Sequence, residues 1–139
     1  MKKLALAFVI FIILLSTVKE NKSFSLLNYF SGEYAVYTSS ATGKDCIDLG
    51  FCYVNSKPVT DCVVGESMVV NNLEVGDALK VLNAKVVKTE VLEDGTTVIY
   101  AFTNLIKEKV SVSSKYVNLQ VATKDDRTVI GWPLILGSF

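Results

Sequence analysis

The chain has 139 residues, half of them apolar, with fourteen Lys/Arg against fourteen Asp/Glu and no histidine. Length and composition fit one domain with its own core. The missing histidine removes Ser–His and Cys–His nucleophile pairs and imidazole-ligated zinc, and the charge balance offers nucleic acid no basic stripe.

The first segment is "MKKLALAFVIFIILLSTVKENK". Lys2 and Lys3 precede an apolar run, Leu4 to Val18, in which Ser16 and Thr17 are the most polar residues. A cationic end followed by a stretch that partitions into a bilayer is the pattern of an export signal. Fifteen helical residues cover roughly 22 Å, short of a ~30 Å hydrocarbon core, and no A-x-A cleavage pattern follows. Residues 1–22 are therefore read as a signal peptide or, if uncleaved, an N-terminal membrane anchor touching the bilayer through residues 4–18. A buried helix of a cytosolic domain fits less well, because the run has no polar face. Both leading readings put the remainder outside the cytoplasm. From Ser23 onward there are ten Lys/Arg and thirteen Asp/Glu, a net charge near −3. That sign disfavours nucleic acid and anionic headgroups alike.

Residues 23–32, "SFSLLNYFSG", form a connector whose Phe24, Leu26, Leu27, Tyr29 and Phe30 suit either packing on the domain or a bilayer interface. "EYAVYT" (33–38) and "GFCYVN" (50–55) read as strands, "SKPVT" as a turn, and "DCVVGESMVV" (61–70) as a further strand with Gly65 marking a bulge or bend. In "NNLEVGDALKVLNAK", Val75, Ala78, Leu79 and Leu82 fall at i, i+3, i+4 and i+7, predicting a helix over about 72–83. Asn71 and Glu74 have capping-box spacing, and Asn83 suits a left-handed C-terminal position. "KVVKTEVLEDGTTVIYAFT" predicts a hairpin turning at Gly95, and "KVSVSSKYVNLQVAT" a second one at Ser113-Ser114-Lys115. In the latter, Val117, Leu119 and Val121 alternate with Tyr116, Asn118 and Gln120, predicting one buried and one wet face. "KDDR" (124–127) turns the chain into its last strand. The expected fold class is α+β: a curved antiparallel sheet with one helix on one face, forming a single exported domain over 33–139.

The tail "VNLQVATKDDRTVIGWPLILGSF", with "GESMVV", "AKVVKTEVL" and "TVIYAFT" upstream, resembles the YwmB-like family over residues 64–139. Those are exported proteins of spore-forming Gram-positive bacteria whose fold is likened to that of the TATA-box-binding protein. The resemblance implies a strongly curved antiparallel sheet with helical cover and carries no established activity. Its DNA-binding connotation does not transfer to an exported, mildly acidic domain.

Cys46, Cys52 and Cys62 are spaced C-x5-C-x9-C, which is not a zinc-ligand spacing, so no metal and no cofactor is expected. If "SKP" is a hairpin tip, Cys52 and Cys62 face each other as a candidate disulfide, with Cys46 left as a free or intermolecular thiol. The alternative is three reduced, buried, small hydrophobes. Glu33, Asp61 and Glu66 lie in or beside strands, where two of them could share a cleft as an acid pair. Trp132-Pro133 interrupts the last strand, which suggests an edge or a bend. On an edge, Trp132, Leu134 and Leu136 would be candidate partner-binding residues. The function expected is non-enzymatic: an exported or membrane-tethered domain binding a protein or cell-wall partner in the cell envelope. The alternative is a small envelope hydrolase using Glu33 and Glu66.

Overall fold

The computed structural model describes residues 23–38, 50–57 and 62–135, with the backbone alone for 50–53. The apolar run 4–18 and Cys46, Asp61 and Leu136 lie outside the described residues. Among the described residues, no helix is long and apolar enough to cross a membrane.

The predicted alternation produces strands β1 (Glu33–Thr38), β2 (Gly50–Tyr53), β3 (Val63–Asn71), β4 (Lys85–Val91), β5 (Thr97–Phe102), β6 (Val110–Val112), β7 (Lys115–Val117), β8 (Leu119–Lys124) and β9 (Arg127–Trp132). Seven form one sheet in the order β2-β1-β3-β9-β8-β5-β4, while β6 and β7 pair separately. Every ladder is antiparallel. The architecture is α+β, as the patterning required.

Helix α1 (Val75–Val81) is shorter than the predicted 72–83. The capping box does not form: Glu74 takes the cap position without a side-chain bond, and Asn72 adopts φ 58° in the turn before it. The C-terminal expectation holds. Asn83 sits at φ 49°, its N–H donating to the Lys80 carbonyl while the Ala84 N–H donates to that of Leu79. This is the Schellman pattern, which satisfies carbonyls the helix itself cannot. Ala78 and Leu82 are fully buried, so the apolar stripe faces the sheet.

Register sorts the sheet residues into two faces, since directly opposed residues share a face and neighbours alternate. One face carries Tyr34 and Val36, Glu66 and Met68, Ile130 and Trp132, Leu119 and Val121, and Ile99 and Ala101. With Ala78, Leu82, Leu26 and Ile106 these make the main core. The opposite face holds a smaller cluster of Val98, Ala122, Val129 and Ile135.

Two expectations about the sheet are corrected as well. The 116–121 arm does not stay one strand with a wet face. Asn118 interrupts it and is buried, donating from Nδ2 to the Thr103 and Ile106 carbonyls at 2.8 and 3.0 Å and accepting from the Thr103 N–H at 2.8 Å. An amide with three backbone partners is satisfied indoors, so burial costs it little. Gln120 is buried as well, because the chain end folds over it and the Ile135 N–H donates to its Oε1 at 2.8 Å. That fold-back needs Gly131: a Cβ there would stand 2.7 Å from the Ile135 Cα. The second correction concerns β9, which lies between β3 and β8 instead of at an edge. The bend predicted at Trp132-Pro133 is real and contains a cis peptide bond.

Candidate functional site

The chain brings its N-terminal described segment onto the sheet at one pole. Ser25 caps a single 3₁₀ turn, Leu26–Asn28, with its Oγ accepting from the Leu27 N–H. Leu26 is fully buried, and Phe24, Leu27 and Phe30 pack on the main core. Of the two fates open to this connector, packing on the domain is the one observed.

Its anchor is Glu66, a fully buried glutamate in β3. Oε2 accepts from the hydroxyls of Ser25 (2.8 Å) and Tyr34. Oε1 accepts from the Leu26 N–H (3.2 Å) and the indole N–H of Trp132 (2.6 Å). A buried carboxylate is tolerable only when its lone pairs are met, and here four neutral donors meet them. Burial, and then the Glu66 carboxylate beside it, raise the Tyr34 phenol far above its ordinary range. Lys57 lies at the rim, donating to Ser23 Oγ at 3.0 Å with its ammonium 6.0 Å from the Trp132 ring centroid. Phe24 meets the same indole edge-on, ring centroids 6.1 Å apart.

Beside this network opens a shallow cleft of ≈ 630 Å³ lined by Leu27, Gly32, Glu33, Tyr34, Val54 and Asn55. It offers one exposed carboxylate, Glu33, and one amide, Asn55, beside the side chains of Leu27 and Val54. Among the described residues, no cluster of His, Cys, Asp and Glu could hold a metal ion.

The candidate residues are rearranged accordingly. Glu33 and Glu66 do not form an acid pair. Glu33 is opposite Val69 and Glu66 opposite Val36, so the two carboxylates leave the sheet on opposite faces. Glu66 is consumed by the network, and Glu33 alone reaches solvent. Trp132 is buried and Leu134 partly so, with Ile135 tucked into the smaller cluster, so the 132–135 run is not an open edge for a partner.

The cysteine hairpin also fails to form. β1 lies between β2 and β3, so Cys52, opposite Val36, is two strands away from β3. Val36 in turn faces Glu66, four residues beyond Cys62. That separation is roughly 10 Å across the sheet and at least as much along it, beyond the reach of a disulfide. Cys62 itself is buried and disulfide-bonded.

The anchor does leave a signal in the sequence. A glutamate inside the apolar strand "GESMVV" is a polar residue at a core position, which demands partners. Comparison of the chain with family models, curated proteins and solved structures finds no match.

Proposed function

We propose that the chain is an extracytoplasmic domain, tethered by or released from its apolar N-terminus, that works by binding a protein or cell-wall component of the envelope. The observation that supports this is the junction. Only residues 19–22 separate the apolar run from Ser23, and the segment from Ser23 is built into the core through Glu66. Four residues reach at most about 14 Å, so a retained anchor would keep the Glu66 pole and its cleft near the membrane surface. Glu33 and Asn55 at the cleft mouth would then meet the partner. The likeness to YwmB-like proteins belongs to the same reading, as does export.

The test is photo-crosslinking from position 55 in native membranes, with position 104 on the exposed loop after β5 as control. A discrete adduct from 55, absent from 104 and lost with Glu33→Ala, supports the reading. Turnover of an envelope substrate that Glu33→Ala abolishes would instead favour the hydrolase.

A further inference from the structure

Strand β4 is the outer strand on the side of the sheet away from β1 and β2. Among the described residues, no strand lies beside its outward N–H and C=O groups, the arrangement that invites another chain. Exposed apolar side chains gather here. Of the nine large hydrophobics exposed among the described residues, Val86, Val91 and Leu92 lie on β4 or the residue after it, and Val81 ends the helix that precedes it.

The charges on this edge select an occupant. Reading outward from Thr89 within β4, Lys88 is mirrored by Glu90 and Val87 by Val91. In an antiparallel pair of identical strands centred on Thr89, each of these residues faces its mirror in the other copy. Lys88 would oppose Glu90 twice. Centring on Lys88 or on Glu90 instead places like charges face to face, which is unfavourable. The faces agree with the Thr89 register. Lys88 and Glu90 share a face, where they already pair at 2.7 Å. Thr89 and Val91 lie on the other, and the register shift between Val86 and Lys88 turns Val86 towards it as well. The dimer would therefore have ion pairs on one face and β-branched pairs on the other, a combination that stabilises cross-strand contacts.

We infer that two copies of this chain associate through β4 about a two-fold axis at Thr89, extending the sheet across both protomers. An isologous contact of this kind closes on itself and stops at two. It uses the edge remote from the Glu66 pole, so both clefts stay open and the inference is independent of what the cleft binds.

Sedimentation equilibrium of the full chain, in detergent where its N-terminus is retained, tests this with three proteins. The wild type should be a concentration-dependent dimer. Lys88→Glu and Glu90→Lys should each weaken dimerisation by roughly tenfold or more, because all four central charges then share one sign. An equimolar mixture of the two variants should restore the dimer, since an all-acidic edge then meets an all-basic one. Circular dichroism confirms that each variant is folded. A wild type that is monomeric throughout the accessible concentration range overturns the inference. So does a dimer indifferent to both substitutions, or a mixture no better associated than its components.

Discussion

The two sides of the sheet use charge in opposite ways. At the β1–β3–β9 side, Glu66 is fully buried and its carboxylate is met by four donors drawn from the N-terminal segment, β1 and β9. At the β4 side, Lys88 and Glu90 pair across an exposed surface. Desolvation explains the difference in weight. A buried charge that loses its partners keeps its desolvation cost, whereas an exposed one is simply rehydrated. The first arrangement therefore holds the fold together, and the second is free to choose a partner.

Removing the buried carboxylate should break this contrast most strongly. Glu66→Ala orphans the Leu26 and Trp132 N–H groups and opens a cavity, and should cost about 3–5 kcal/mol in denaturant unfolding. Glu66→Gln should cost distinctly less, about 1–2 kcal/mol. Its amide oxygen can face the two fixed N–H donors while its NH₂ faces the Ser25 and Tyr34 hydroxyls, which can also accept. Equal losses for the two variants would sink the network account.

Asn118→Ala should follow, at about 2–3 kcal/mol, because it leaves buried backbone groups of Thr103 and Ile106 unpaired. Hydrogen exchange should then quicken selectively at the Thr103 amide.

The Tyr34 phenol sharpens the comparison through pH. Its folded pKa is raised, so the stability linked to it is complete below the ordinary tyrosine value of about 10 and declines as pH rises past it, where only the unfolded chain can ionise. The stability curve should fall above that pH, and Tyr34→Phe should flatten the fall even though it weakens the protein at neutral pH. An identical alkaline slope in both proteins would remove Tyr34 from the explanation.

The smallest effects belong to the exposed side. Glu90 is lowered by its hydrogen bond to Lys88, and Asp94 by the backbone N–H of Thr96. Carboxyl NMR titration should put both midpoints below ordinary carboxylate values. The linked stability is small at exposed positions, present above those values and lost as pH falls, and replacing Asp94 should leave the denaturation midpoint unchanged within error. For the cysteines, non-reducing peptide mapping should find Cys62 in a disulfide that does not join it to Cys52, because the register holds Cys52 out of its reach.

Much of the local structure was legible in residue order. The stripe Val75, Ala78, Leu79, Leu82 encodes a helix face, Asn83 its left-handed end, and Gly95, at φ 87°, the turn between β4 and β5. Each depends on neighbours a few positions apart, so periodicity and turn chemistry suffice. The site was less legible. Glu66 could be seen as an acid in a strand, but its donors come from positions 25, 26, 34 and 132, and no spacing rule links those. Partner choice among strands is likewise non-local. The insertion of β9 between β3 and β8 turned an expected edge into the centre of the sheet, and β1 between β2 and β3 separated two cysteines that a hairpin would have joined. Sequence by itself thus determined the main elements and the fold class. Tertiary structure alone decided which strands are neighbours, which acid is buried and which described strands are outermost, because those depend on contacts between segments whose separation along the chain carries no periodic signal.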